Sequence, residues 1–165
     1  MRELALNVLD IAENSLAAGA KLIGISLSFD TAKDTMRIEI DDDGCGMDEE
    51  TLKKVTDPFT TSRKTRSVGM GLPLFKYSAE SAGGSFSIAS QKGKGTKVCA
   101  QYRIGHIDRM PLGDFGGVVL QLVTMNPKVD FCISVTDGEH SGVLDTREVK
   151  SVLGEDIPLG APEVR

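Results

Sequence analysis

The stretch that decides the fold is DDDGCGM at residues 41–47, which follows directly on a β-like run over 35–41. Gly44 and Gly46 allow the backbone to turn sharply and to approach a flat ring closely. A buried Asp42 carboxylate can accept a hydrogen bond from an exocyclic amino group. An ordinary acidic turn has the same composition and remains an alternative at this point. A calcium loop is excluded, because the DxDxDG spacing and a glutamate at the twelfth position are absent.

The first hundred residues around this motif predict a regular series of short elements. Apolar residues at three- and four-residue steps predict the first helix, and alternating residues such as Ile23, Ile25 and Leu27 predict the first strand. Asp48 is placed to cap a helix, and Gly83-Gly84 to end one. The predicted helices cover 2–18, 49–56 and 71–82, and the predicted strands cover 21–29, 35–41, 85–90 and 95–103.

The remainder of the chain predicts a second, smaller unit. Gly105, Pro111 and Gly113 interrupt the pattern after Arg103. Helices over 114–125 and 146–153 and strands over 129–136 and 141–145 follow. We therefore expect one domain over 1–103 and a small α/β extension over 104–165, packed on the first.

Composition and charge exclude several classes of protein. The 165 residues carry 19 Lys+Arg against 24 Asp+Glu, a formal charge of −5. Nucleic-acid and membrane-surface binding both need a sustained positive face, so neither partner is expected. Three widely spaced cysteines without a CxxC pair argue against a disulfide framework and a structural zinc site. Without a long apolar run or a signal-like start, we expect a soluble cytoplasmic protein.

The first predicted helix carries a polar stripe beside its apolar one. Glu3, Asn7, Asp10 and Asn14 follow at steps of four, three and four residues and so share one face. The Asn14 side-chain oxygen can reach a hydrated magnesium ion, and Asp10 can orient a water or a hydroxyl. A solvated surface stripe is the alternative interpretation.

A second candidate site lies at the start of the helix over 71–82. Gly69, Gly71 and the helix onset at Leu72 provide free backbone amides and a helix dipole, which favour phosphate. The preceding loop adds a basic cluster to an otherwise acidic chain. That cluster consists of Ser62, Arg63, Lys64 and Arg66. The common signatures GxxxxGK[ST] and GxGxxG are both absent.

Taken together, these segments resemble the ATP-binding domain of the GHKL superfamily, which joins DNA gyrase, the heat-shock chaperones, sensor histidine kinases and the mismatch-repair ATPases. The matching boxes are DIAENSLAAGAKLIGISL, IDDDGCGM, DPFTTSRKTR, VGMGLPL and GGSFSIASQKGKGTKV, over roughly residues 4–103. The short loop and the last box resemble the histidine-kinase and anti-sigma-kinase branch most. ENSLAAGA resembles the mismatch-repair branch.

The resemblance implies a fold and a ligand set. The implied fold is α+β: a two-layer sandwich with a mixed, mostly antiparallel sheet and helices on one face, the Bergerat fold. The implied cofactors are ATP and Mg²⁺, with Asn14 chelating the metal and Asp42 contacting the adenine amino group. Gly44, Gly46 and Met47 would line the base pocket, and Thr96 would join a water network there. Gly69 and Gly71 would receive the phosphates under a mobile lid over 57–70.

Two positions depart from the family pattern. Asp10 stands where the ATP-hydrolysing branches place a glutamate, so its carboxylate is one methylene shorter. Ala17 stands where many histidine kinases carry a basic residue. His106, in HIDRMP, superficially fits the HxxRxP pattern of a phosphorylated histidine. Because it follows the last strand and precedes Pro and Gly, a linker is the favoured interpretation.

Two functions are compatible with these features. The first is a stand-alone kinase or phosphotransferase that acts on a partner in trans, as small anti-sigma-type kinases do, with Asp10 as the catalytic residue. The second is an ATP-gated interaction module with little or no turnover. In both, an unidentified protein substrate or regulatory partner is expected, and a homodimer is compatible.

Overall fold

The computed structural model describes residues 3–56 and 71–153, which form five helices and six strands. Each element occurs where the sequence predicts it, with bounds that differ by at most two residues. The helices are α1 (Leu4–Ala17), α2 (Glu49–Val55), α3 (Gly71–Ser81), α4 (Phe115–Met125) and α5 (Thr146–Leu153). The strands are β1 (Leu22–Asp30), β2 (Thr35–Asp42), β3 (Ser85–Gln91), β4 (Gly95–Arg103), β5 (Asp130–Thr136) and β6 (Ser141–Asp145).

All six strands form one open, mixed sheet in the order β3-β4-β2-β1-β5-β6. Four of the five neighbouring pairs are antiparallel, and β1 and β5 are parallel. The β2 register places Asp42 opposite Thr96 at one end of β4 and Thr35 opposite Arg103 at the other. The predicted α+β architecture with a mostly antiparallel sheet is therefore confirmed.

One face of the sheet is buried beneath helices. Alternating residues on the central strands point into the core, as Ile23, Ile25 and Leu27 do on β1, each at most 2% exposed. The apolar sides of α1, α3 and α4 contribute to the same core cluster. The opposite face carries mostly polar or small side chains, such as Ser26 and Ser28. This period of two is the pattern of a sheet with one covered face.

The segment after Arg103 is built into the same sheet. Seven residue pairs join β1 to β5, from Leu22 with Asp130 to Ser28 with Thr136. The backbone carbonyls of Pro111 and Leu112 accept hydrogen bonds from the first amides of α1. These amides have no partner within their own helix. The described part of the expected extension, 104–153, thus supplies two strands to the sheet and anchors the start of α1.

No helix within residues 3–56 and 71–153 is both long and apolar enough to cross a bilayer. The longest, α1, has 14 residues, and a membrane span needs about 20. Localisation in the cytoplasm stays a prediction.

Candidate functional site

A cavity of about 360 Å³ opens where α1, the end of β2, α2, the start of α3 and β4 meet. This is within the usual size of a small-molecule pocket. Apolar side chains supply much of the wall, with polar groups between them. The lining residues are Ile11, Asn14, Ser15, Ala17, Ala18, Ile40, Asp42, Cys45, Gly46, Met47, Asp48, Thr51, Val55, Leu72, Lys92, Thr96 and Val98.

Asp42 is held in a fixed orientation at this cavity. The Ser15 hydroxyl donates to its Oδ2 over 2.6 Å, and the Gly44 N–H donates to its Oδ1 over 2.9 Å. A carboxylate has about four acceptor positions, so two donors leave room for a ligand N–H. Ser15 is 3% exposed. It follows Leu4, Val8 and Ile11 at three- and four-residue steps, so the sequence pattern places it on the apolar side of the helix and does not indicate its contact with Asp42.

Gly44 and Gly46, which follow Asp42, lie where the backbone comes very close to Ala18 and to the Gln91 carbonyl group. Gly46 has φ 68°, and a Cβ there would overlap the Gln91 carbonyl group. The Gly93 N–H donates to the Cys45 carbonyl oxygen over 2.6 Å, which ties the loop to the β3–β4 turn. A side chain at residue 46 would therefore separate the two segments that form this rim of the cavity.

Thr96 belongs to a small hydroxyl network on the same rim. Ser90 Oγ accepts from the Met47 N–H over 2.8 Å and donates to the Gly95 carbonyl oxygen over 3.0 Å. Since a serine hydroxyl has only one proton, the 2.8 Å contact between Thr96 Oγ1 and Ser90 is donated by Thr96. Ser90 was not among the predicted site residues, and a serine in a strand gives no signal by itself.

The polar stripe of α1 reaches the cavity at its last member. Asn14 lines it, and the Asn14 Nδ2 atom is buried without a hydrogen-bond partner. Asp10 lies one turn earlier, and burial raises the pKa of its carboxyl above the usual value, with the nearby Glu13 charge adding to the effect. A Cβ on Gly71 would lie 3.2 Å from Asp10 Cβ. The start of α3 therefore packs on the stem of Asp10.

Helix α2 forms the outer wall. The Thr51 N–H donates to Asp48 Oδ1 over 2.8 Å, so Asp48 caps the helix as predicted. This bond holds the pKa of the Asp48 carboxyl below its usual range. The cap fixes the helix that brings Thr51 and Val55 to the cavity. Lys92, from the β3–β4 turn, adds a positive charge that was also not predicted.

Most predicted site residues within the described ranges gather at this one place. Those that line the cavity are Asn14, Asp42, Gly46, Met47, Leu72 and Thr96. Three others do not line the cavity: Gly44 donates its N–H to Asp42, and Asp10 and Gly71 contact each other next to the lining residues Ile11 and Leu72. Ser62, Arg63, Lys64, Arg66 and Gly69, together with the predicted lid over 57–70, lie outside the described residues.

Comparison with known proteins shows the family to which the chain belongs. Residues 1–105 match the model of the histidine kinase-, DNA gyrase B-, and HSP90-like ATPase family. The chain belongs to this family. Similar curated proteins include sporulation kinase E of Bacillus subtilis, 30% identical over 96 residues, and signal transduction histidine-protein kinase AtoS of Escherichia coli, 30% identical over 95 residues. Each alignment covers 58% of this chain but only 13% and 15% of the respective relatives' lengths.

Solved structures show the same fold across more of the chain. The N-terminal domain of a DNA repair protein aligns with a TM-score of 0.62 at 16% identity, over 93% of this chain and 57% of the other. The Aquifex aeolicus MutL ATPase domain complexed with ADP aligns with a TM-score of 0.52 at 17% identity, over 94% and 68%. At these identities the likeness concerns the fold alone.

Proposed function

We propose that this ATPase-family domain binds ATP with Mg²⁺ and transfers the γ-phosphoryl group to a partner protein in trans. The observation that carries the proposal is the fixed Asp42 carboxylate, held by Ser15 and Gly44 at a largely apolar cavity. Such a carboxylate accepts from the amino group of adenine, whereas guanine presents a carbonyl oxygen at that position. The apolar wall from Ile11, Met47 and Val98 suits the faces of a purine ring.

The residues present also fit a magnesium ion. Asn14 lines the cavity, and its amide nitrogen is buried without a partner, so its side chain is not committed to another group. An amide oxygen is a ligand that Mg²⁺ accepts alongside phosphate oxygens and water. When bound, the ion neutralises negative charge on the phosphates. The predicted role of Asn14 as the metal ligand is part of this proposal.

Asp10 is the proposed catalytic base. It lies one helical turn from Asn14, beside the first residue of α3 and in a half-buried position. In transfer, a bond forms between the acceptor atom and the γ-phosphorus, the bond to the bridging oxygen breaks, and ADP leaves. Asp10 takes up the proton of the acceptor. A carboxylate one methylene shorter than glutamate reaches about 1.5 Å less far, which predicts slow hydrolysis by water.

Nucleotide binding is tested by calorimetry with Mg²⁺ and ATP. Asp42→Asn should weaken ATP binding by about tenfold or more, because one buried acceptor is lost and an amide donor faces the adenine amino group. Asp43→Asn is the matched control, since the Asp43 carboxylate accepts from the Lys21 and Leu22 amides instead. Normal ATP affinity in Asp42→Asn, or equal binding of GTP by the wild type, contradicts the proposal.

Phosphoryl transfer is tested with γ-labelled ATP and a lysate of the source cell. A phosphotransferase leaves label on a protein, and Asp10→Asn should remove the label while ATP affinity is retained. ATP binding without any labelled protein would instead favour the second candidate, an ATP-gated interaction module. The shortened carboxylate at position 10 is the observation that favours this second function.

A further inference from the structure

Asn7 is the most unusual buried residue in the described part of the chain. Its side chain is 0% exposed, and neither its Oδ1 nor its Nδ2 has a hydrogen-bond partner. Leaving a buried polar group unpaired costs about 1–3 kcal/mol, so such groups are rare in native proteins. The sequence pattern predicts that the polar stripe of α1 faces water or a ligand, and Asn7 does not face water. A hydrogen-bond partner that Asn7 gains when the cavity is occupied by a ligand would explain why an amide is buried here.

The position of Asn7 on α1 points to Asp10 as the candidate for that partner. Asn7, Asp10 and Asn14 follow at steps of three and four, so they lie on one face of the helix. Helical side chains lean toward the N-terminus, which directs the Asp10 carboxylate over the turn that contains Asn7. A Cβ on Gly71, at the start of α3, would lie 3.2 Å from Asp10 Cβ and 3.9 Å from Asp10 Oδ2, so α3 occupies this side of Asp10. Asn7 therefore lies one turn before Asp10 on this face, on the side away from Asn14, which lines the cavity.

We propose that Asn7 is a positioning residue for Asp10. Its amide N–H donates to the Asp10 carboxylate when Mg²⁺ and ATP occupy the cavity, and this bond aims the shorter carboxylate at the acceptor. The inference rests on the proposed function, because it assigns Asn7 a role through the catalytic base. It accounts for an amide that the described residues leave without a partner.

The first test compares the melting temperature of the full chain with its turnover, measured as the rate of ATP hydrolysis. Asn7→Leu replaces the amide by an apolar group of similar volume, so its melting temperature without nucleotide should equal or exceed that of the wild type. Its affinity for Mg²⁺ and ATP should stay within about twofold, whereas turnover should fall by about tenfold or more. Val8→Ala, at the next buried position of α1, is the control: it should lower the melting temperature and leave turnover unchanged.

A double-mutant cycle separates an action through Asp10 from an independent one. If Asn7 acts through Asp10, the variant with both Asn7→Leu and Asp10→Asn turns over no more slowly than Asp10→Asn alone. Additive losses, wild-type turnover in Asn7→Leu, or a melting temperature lowered as in Val8→Ala would each overturn the inference. Wild-type turnover in Asp10→Asn would contradict the proposed function instead.

A spectroscopic test does not depend on turnover. The side-chain ¹⁵NH₂ resonances of Asn7, assigned by their loss in Asn7→Leu, should shift when Mg²⁺ and a non-hydrolysable ATP analogue are added. The shift should disappear in Asp10→Ala. A shift that persists in Asp10→Ala, or no shift despite nucleotide binding by calorimetry, shows that the amide does not contact Asp10.

Discussion

At the scale of single residues, the orientation of Asp42 depends on a neighbour that is not itself part of the glycine-rich motif. The hydroxyl of Ser15 reaches from α1 to Asp42 Oδ2, and the next residue on the same helix, Asn14, lines the cavity. Of these two adjacent side chains, Ser15 thus serves the proposed adenine site and Asn14 the proposed metal site. The orientation of α1 that buries Ser15 also places Asn14 at the cavity.

Replacing Ser15 should weaken nucleotide binding more than it weakens the fold. In Ser15→Ala, Asp42 loses one of its two described donors and is free to rotate away from the adenine amino group. A hydrogen bond to a charged group contributes about 1.5–3 kcal/mol, so ATP affinity should fall by about tenfold or more in calorimetry. Ser151→Ala is the control, because the Ser151 hydroxyl donates to a backbone carbonyl in α5. Equal affinities in the two variants would show that Ser15 does not orient Asp42.

Asp43 makes a pH-dependent contribution to stability. Its Oδ1 accepts the backbone amides of Lys21 and Leu22 over 2.8 and 3.0 Å, and these bonds hold the pKa of the carboxyl below its usual range. A depressed pKa in the folded state stabilises the protein above the unfolded pKa of about 3.9. The stabilisation is lost as the pH falls through the lower folded value.

The measurement is urea unfolding at a series of pH values. Between about pH 5 and pH 3 the wild type should lose stability more steeply than Asp43→Asn, because the variant has no proton to bind at this position. Parallel curves for the two proteins across this range would contradict the assignment.

At the scale of elements, local patterns in the sequence were sufficient to place every described helix and strand. Apolar periods of 3.6 and 2 and the caps at Asp48 and Gly83 are local signals, and they depend on few long-range contacts. The parallel pairing of β1 with β5 is different. These strands are separated by about a hundred residues, and no local pattern specifies which edge of the sheet a later strand joins. No local pattern places Ser15, Ser90 or Lys92 at the cavity either, because each reaches it beside segments that are distant in the sequence.

The cap of α2 provides an element-scale prediction. Asp48→Ala removes the acceptor for the Thr51 N–H and should let the first turn fray. Thr51 and Val55 then no longer define the cavity wall, so ATP affinity should fall several-fold together with the melting temperature. Asp114→Ala is the matched control, since Asp114 caps α4 in the same way, away from the cavity. It should lower the melting temperature and leave ATP affinity unchanged; a similar affinity loss in both variants would contradict a local role for α2.

At the scale of the whole molecule, the family match covers less of the chain than the folded sheet does. The match ends at residue 105, whereas the sheet continues through β5 and β6. Phe131, on β5, is fully buried and belongs to the same apolar cluster as Leu4 and Ile23. The Phe131 N–H also donates to the buried Thr146 hydroxyl at the start of α5. A core shared in this way should unfold in one cooperative transition.

The last prediction tests that cooperativity with Phe131→Ala. Truncating a fully buried phenylalanine costs about 3–5 kcal/mol, and the loss should reach β1 and β2 as well as β5. Amide exchange should therefore accelerate to a similar degree on β1 and on β5, and calorimetry should show one transition at a lower temperature. Val143→Ala, on the exposed strand β6, is the control and should change stability by less than about 0.5 kcal/mol. Faster exchange confined to β5 and β6, or two separate transitions, would mean that the later strands unfold independently of the proposed nucleotide site.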